Sequence, residues 1–255
     1  MPLLSVEHVR KIYNTKLGLF RCVALSDVSF SVEEGEFVAV MGASGSGKTT
    51  LLNLLASLDK PTGGEIRLEG KNFSDIRDRE LSAFRRDNLG FVFQDFNLLD
   101  TFTLKDNILL PLVLEGKEVR EMEEKALNVA RTLGIEALLN KYPYEVSGGE
   151  KQRAAIARAV ITNPKLLLAD EPTGALDSKA SQELLKTFEG LNAAGHTIVM
   201  VTHSAMAASF ASRVLFIKDG EIFAQLYRAD QPRRAFFDRI VGNLSVLSDG
   251  GVAGE

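Results

Sequence analysis

The sequence predicts an α/β domain with a mostly parallel sheet, an antiparallel β layer at its N-terminal end and a helical subdomain. Three observations carry this. Near-continuous apolar runs at 37–41, 166–169 and 197–201 have the pattern of strands covered on both faces. Residues 3–13 and 23–32 instead interleave apolar and polar side chains, through Leu4, Val6, Val9 and Ile12 and then Leu25, Val28 and Phe30, as strands of an antiparallel layer do. From 104 to 139 the period becomes helical, and Pro111 and Gly116 are expected to break that stretch into several short helices.

In chain order, the link at 14–21 contains Gly18 and two basic residues and reads as an exposed loop with Tyr13 at its mouth. The strand 37–41 runs into Gly42-Ala43-Ser44-Gly45-Ser46-Gly47-Lys48-Thr49, and residues 49–57 read as the helix that follows. Residues 60–64 form a Pro-Gly turn, 65–68 a short strand and 79–88 a charged helix. A strand at 89–93 ends at Gln94-Asp95-Phe96-Asn97. The dense charges of 119–133 read as a solvated helix face. Ser147-Gly148-Gly149-Glu150 has the S-x-x-E form of a capping box and opens a helix to about 162. The strand 166–169 ends at Asp170-Glu171, a helix spans 178–194, and the strand 197–201 ends at Thr202-His203. Strands 214–217 and 222–226 form a hairpin through Lys218-Asp219-Gly220. Pro232 opens a last helix to about 244, within a C-terminal helical region of about 228–247, and 248–255 should be frayed. The chain reads as one domain over 1–255, with its helical subdomain at about 100–160.

Composition narrows the chemistry. With 255 residues, 45% of them hydrophobic, the chain can bury a full core. A net charge of −4 gives no electrostatic reason to bind nucleic acid or an anionic membrane surface. The single cysteine, Cys22, excludes an intrachain disulfide, suits a reducing compartment and reads by default as a small buried hydrophobe. No apolar run approaches the roughly 20 residues that span a bilayer, so a membrane role would come through a partner.

The glycine-rich stretch 42–49 reads G-x-x-x-x-G-K-T, a P-loop. Its glycines let the backbone curl with N–H groups inward, toward the N-terminus of the next helix, and such a nest binds polyphosphate. Lys48 would reach the β- and γ-phosphates and the Thr49 hydroxyl would ligate Mg²⁺. Polar groups stand at further strand ends: Gln94, Asp170 with Glu171, and His203. In a parallel α/β sheet such ends share one edge, where ligands bind. There Asp170 would hold Mg²⁺, directly or through water, Glu171 would polarise the attacking water, and His203 would contact the γ-phosphate or hold that water. Adjacent strand residues point to opposite sides, which would let Asp170 and Glu171 do different jobs. Tyr13 is either a base-stacking or a packing residue.

These motifs together resemble the ATP-hydrolysing subunit of ABC transporters, a P-loop NTPase core. The P-loop, Gln94, Val146-Ser147-Gly148-Gly149-Glu150, the strand to Asp170 with Glu171, the Ala175-Leu176-Asp177 turn and His203 occur in that family's order, across about residues 3–226. The resemblance implies ATP and Mg²⁺ as ligands. It implies a nucleotide site of Tyr13, Gly42 to Thr49, Thr50 and Gln94, with Thr49, Gln94 and Asp170 around the metal. It further implies an ATP-dependent head-to-tail dimer in which Ser147, Gly148, Gly149 and Glu150 contact the ATP of the partner subunit and Asp177 lies at a dimer turn. Where the family usually carries Leu and a final Gln, this chain has Val146 and Glu150. A carboxylate there repels a γ-phosphate unless it folds back onto the Ser147 N–H.

Within the family, 41–48, 89–100, 106–111 and Phe236-Phe237 resemble the ATPases of bacitracin-type antimicrobial-peptide exporters, and lipoprotein-release, macrolide-export and cell-division ATPases share much of this. The implied partner is an integral-membrane permease working beside a sensor histidine kinase, which places the chain at the cytoplasmic face of a bacterial membrane. Phe96, Leu98, Leu99 and Phe102, in the loop 94–103, are expected either to dock on that permease or to pack in the core. The C-terminal helix would pack on the partner subunit or on its own domain. A soluble ABC protein acting on DNA or ribosomes would need a coiled-coil insertion, zinc cysteines, a second ATPase half or a basic surface. A P-loop kinase or GTPase would leave 147–150 and His203 unexplained.

Overall fold

The computed structural model describes residues 1–14 and 21–249. The expected loop at 14–21 therefore lies outside the described residues, apart from Asn14 and Arg21. In chain order the strands are β1 (Leu4–Asn14), β2 (Arg21–Val32), β3 (Phe37–Met41), β4 (Gly63–Leu68), β5 (Lys71–Asn72), β6 (Leu89–Val92), β7 (Leu166–Asp170), β8 (Thr197–Val201), β9 (Arg213–Lys218) and β10 (Glu221–Tyr227). The helices are α1 (Lys48–Leu55), α2 (Asp78–Asn88), α3 (Leu104–Glu115), α4 (Val119–Thr132), α5 (Gly148–Val160), α6 (Ser178–Ala193), α7 (Ala205–Ala208) and α8 (Arg233–Asp249). They fall into two compact units, Met1–Leu81 with Val199–Glu255, and Ser82–Ile198.

In the first unit, β1 pairs antiparallel with β2 from Leu4↔Val32 to Asn14↔Arg21, and with β4 on its other side. The alternation read from the sequence sets the buried face: Leu4, Val6, Val9, Leu25 and Val28 are almost wholly enclosed. β3 pairs parallel with β9, Val38↔Arg213 to Met41↔Phe216, and all five of its residues are buried, which is why its apolar run is unbroken. β9 turns into β10 through Asp219 and Gly220, both left-handed (φ 51° and 78°), the geometry an Asp-Gly pair provides. Cys22 corrects an expectation: it is exposed, because it opens β2 opposite Tyr13 where Arg21 and Val23 are exposed too. α8 continues to Asp249, past the expected end near 244, so 248 and 249 are helical. Phe236 and Ile240 anchor it with no exposed surface.

In the second unit, β6 and β7 pair parallel, Leu89↔Leu166 to Val92↔Ala169. Helices contribute to its core through Leu104, Ile108 and Leu112 of α3, Met122 and Ala126 of α4, Ala154 to Ala157 of α5, and Leu184, Leu185 and Phe188 of α6. Pro111 does not break α3, as the sequence suggested; the helix runs through it to Glu115, and Gly116 (φ 76°) ends it with its N–H on Leu112 and Val113. The missing Pro N–H falls one turn from the helix end, where the buried Leu104, Ile108 and Leu112 stripe holds the helix in place.

Candidate functional site

On the first unit, the loop after β3 has no room for side chains at two of its glycines. A Cβ at Gly42 would overlap the Ile217 carbonyl oxygen of β9, and one at Gly47 (φ 103°) would stand 2.5 Å from the Ala24 carbonyl oxygen of β2. The loop is thus pressed between two strands, with its N–H groups at the start of α1. The Lys48 ammonium donates to the carbonyls of Gly42 (2.9 Å) and Ala43 (2.8 Å), folding its side chain back over the loop. Ala43, Ser44, Gly45 and Thr49 are exposed, whereas the Ser46 hydroxyl is buried without a hydrogen-bond partner. A cavity of about 290 Å³ opens beside Gly42 to Ser46, closed at its rim by Lys218, Asp219 and Leu244 of α8. The loop backbone, Lys218 and the orphaned Ser46 hydroxyl line this hollow, while Lys48 lies on the loop's own carbonyls. A glycine-rich loop of this kind at a helix N-terminus is suited to an anion with several oxygens.

Tyr13 stands at the end of β1, 41% exposed. Its hydroxyl donates to Asp59 (2.9 Å), Lys11 donates to the same carboxylate (2.6 Å) and to the Lys60 carbonyl, and the Lys11 ammonium lies 4.8 Å from the Tyr13 ring centre. Burial and the bond to Asp59 push the phenol's pKa up. The tyrosine is fixed at its tip with much of its ring in solvent. His203 is exposed after β8; the buried Thr202 before it donates its N–H to Val40 of β3, and Ser204 caps α7.

On the second unit, the strand-end residues converge around the N-terminus of α5. Gln94 is exposed and its side chain rests on Gly174, where a Cβ would stand 2.9 Å from the Gln94 Cδ. Phe96 and Asn97 are both left-handed (φ 61° and 49°), a cost of about 1 kcal/mol each. Arg158 of α5 holds them there by donating to both carbonyls, and burial pushes its own pKa down. Phe96 reaches Gly148 on one side and Lys151 on the other. The wholly buried Gln152 donates to the Phe93 carbonyl (2.9 Å) and to the Pro172 carbonyl (2.8 Å), joining the segment before Gln94 to the segment after Glu171.

Asp170 ends β7. Glu171 lies beyond the strand in a left-handed conformation (φ 45°), so strand alternation does not set its direction relative to Asp170. Asp177 caps α6, accepting from the Lys179 and Ala180 N–H groups at 2.9 Å. The capping box at the start of α5 forms: Glu150 Oε2 accepts from the Ser147 N–H and from its hydroxyl, both at 2.7 Å. The carboxylate does fold back, and these two bonds hold its pKa below the usual range.

Sequence reasoning missed Gln152, Arg158 and the Lys11–Asp59 support of Tyr13, none of which carries a recognisable motif. It also missed a groove of about 400 Å³ walled by Leu89, Phe91 and Phe93 on one side and Leu110, Pro111 and Leu114 on the other, with Arg158 in its lining. Of the four apolar residues singled out in 94–103, none is buried: Phe96 and Leu98 are half-buried, Leu99 and Phe102 exposed.

Residues 25–174 match the family model described as ABC transporter. The chain is 53% identical over 246 residues to the ABC transporter ATP-binding protein YxdL of Bacillus subtilis, covering 96% of this chain and 94% of that protein. It is 49% identical to the bacitracin export ATP-binding protein BceA of Halalkalibacterium halodurans over the full length of both. Among solved structures it is similar to the dimeric post-hydrolysis state of the ATP-binding cassette MJ0796 bound to ADP and Pi, from Methanocaldococcus jannaschii. The TM-score is 0.79 at 41% identity, covering 88% of this chain and 98% of that one.

Proposed function

Given that this chain belongs to the ABC transporter ATP-binding family and is an ATPase, we propose that it drives a membrane permease by closing head to tail with a second copy on ATP. The observation that carries this is the Gln152 side chain. It bonds the Phe93 carbonyl, whose residue lines the apolar groove, and the Pro172 carbonyl, next to Glu171. A change at Glu171 on hydrolysis therefore has a buried, hydrogen-bonded route to a surface that fits an apolar segment of a partner.

In this reading the loop from Gly42 to Thr49, with Thr50, holds the triphosphate, and Tyr13 stacks on the base. Ser147, Gly148 and Gly149 of one copy meet the γ-phosphate held by the other, with Asp177 at the turn between copies. Glu171 polarises the attacking water and His203 contacts the γ-phosphate. Among the described residues no three His, Cys, Asp or Glu side chains are grouped to hold a metal. A cation here takes most of its oxygens from the nucleotide and water, the habit of Mg²⁺, with Thr49, Gln94 and Asp170 as the protein's contribution. Bound there, Mg²⁺ would neutralise charge on the phosphates.

The groove is the permease docking surface, and Val113 and Leu114 (54% and 72% exposed) extend its apolar rim along α3. Similarity to the bacitracin export protein favours antimicrobial-peptide export or resistance as the task. The permease would carry the peptide and connect to a sensor histidine kinase. No described helix is long and apolar enough to cross a membrane, so attachment to the cytoplasmic face of the membrane would be through the permease. Co-purification with a detergent-solubilised permease tests the reading. Phe91→Asp should abolish co-purification and leave ATP binding intact, whereas co-purification indifferent to this change would reject the groove. Glu171→Gln should bind ATP and accumulate a dimer.

A further inference from the structure

The bonds at the start of α5 have a chemical consequence for any phosphate that approaches it. Ser147 owns one hydroxyl proton, and the carboxylate of Glu150 accepts it at 2.7 Å. The same Oε2 accepts the Ser147 N–H at 2.7 Å, while the return bond from the Glu150 N–H to Ser147 Oγ is long, at 3.4 Å. What Ser147 offers outward is therefore lone-pair density beside a full negative charge. The Gly148 and Gly149 N–H groups and the helix dipole attract an anion to this end; the carboxylate opposes them at the same place. Arg153 and Lys141 lie near enough to favour its charged form.

We propose that Glu150 is a restraint on closure: by holding the Ser147 hydroxyl proton it raises the ATP concentration at which two copies close. This rests on the head-to-tail dimer proposed above and adds a positioning residue to it. For Ser147 to donate to a phosphate oxygen, its hydroxyl must rotate away from a charge-assisted bond, about twice as strong as a neutral one. A glutamine keeps the backbone half of the capping box and releases the hydroxyl, because its amide oxygen is a weaker acceptor without charge.

The test uses the full chain carrying Glu171→Gln, so that closure is read without turnover, with dimer fraction followed by sedimentation against MgATP concentration. Adding Glu150→Gln should lower the ATP needed for half-maximal dimer by about tenfold, with ATP affinity of the isolated subunit and melting temperature unchanged. Ser147→Ala should raise that ATP concentration less than about twofold with Glu150 intact, and about tenfold in the Glu150→Gln background, where the hydroxyl has been released. Equal effects of Ser147→Ala in both backgrounds, or no gain from Glu150→Gln, would overturn the restraint while leaving the dimer standing. A Glu171→Gln chain that binds ATP yet stays monomeric at every concentration would overturn the dimer and the restraint together.

Discussion

Tyr13 and Asp59 are joined by a 2.9 Å hydrogen bond that fixes the tyrosine's tip while much of its ring stays in solvent. Tyr13→Phe removes only the anchor and should weaken ATP binding by a few-fold. Tyr13→Ala removes the platform and should cost about 1–3 kcal/mol, the usual value of stacking between a base and an aromatic ring. Titration with a fluorescent ATP analogue distinguishes the two.

The same bond gives a pH prediction. Burial works against the Asp59 carboxylate, but hydrogen bonds from Lys11, Tyr13 and the Lys60 N–H hold its pKa below the usual range. A depressed folded pKa gives stability that is present above the ordinary carboxylate pKa and lost as pH falls through the folded value. Asp59→Asn should therefore lower the denaturant midpoint at pH 7, by an amount that shrinks as the pH falls through the depressed carboxylate value. A loss that does not shrink on acidification would contradict this account.

The nest depends on a lysine and on a glycine, for different reasons. Lys48→Ala removes a charge from the phosphates and two hydrogen bonds from the loop's own carbonyls, so ATP affinity should fall about 100-fold with a small drop in melting temperature. Gly47→Ala puts a methyl 2.5 Å from the Ala24 carbonyl oxygen in a left-handed conformation, and should destabilise the fold itself by about 2–4 kcal/mol. Calorimetry reads both.

Gln152→Met keeps the volume and strands the Pro172 carbonyl, whereas the Phe93 carbonyl still accepts the Phe96 N–H. We expect a stability loss of about 1–3 kcal/mol, the cost of one buried orphaned group. ATP binding should persist while permease-stimulated hydrolysis falls. Stimulation at the wild-type level would remove Gln152 from the coupling route.

Pro111 offers the opposite sign. Pro111→Ala restores a helical N–H inside α3 and should stabilise the chain by about 1–3 kcal/mol in urea unfolding. Its side chain also lines the groove, so the same change should weaken permease binding.

Sequence alone located the parts whose chemistry is local. The glycine spacing of the P-loop, the S-x-x-E box, the Asp-Gly hairpin and the buried runs of β3, β7 and β8 all act within a few residues, and all appear where the pattern placed them. The failures share a cause. Residue type alone misplaces Cys22 and Pro111, because what packs around them decides their settings: the exposed end of the β1–β2 ribbon, and the buried stripe of α3. Gln152 and Arg158 act on backbone atoms 59 to 62 residues away, a separation that no periodicity encodes.

The walls of the P-loop bear on how this chain is made. Gly42 is pressed against the Ile217 carbonyl, and β3 finds a parallel partner in β9, so the hollow beside Gly42 to Ser46 is bounded by chain that leaves the ribosome long after the loop itself. A nascent chain that has emerged as far as α1 carries every residue of the motif and none of this wall. Pairing across such a span is slow to form, because loop closure precedes any contact that rewards it. Competence to hold nucleotide is therefore expected late in synthesis, once β9 and its hairpin are in place.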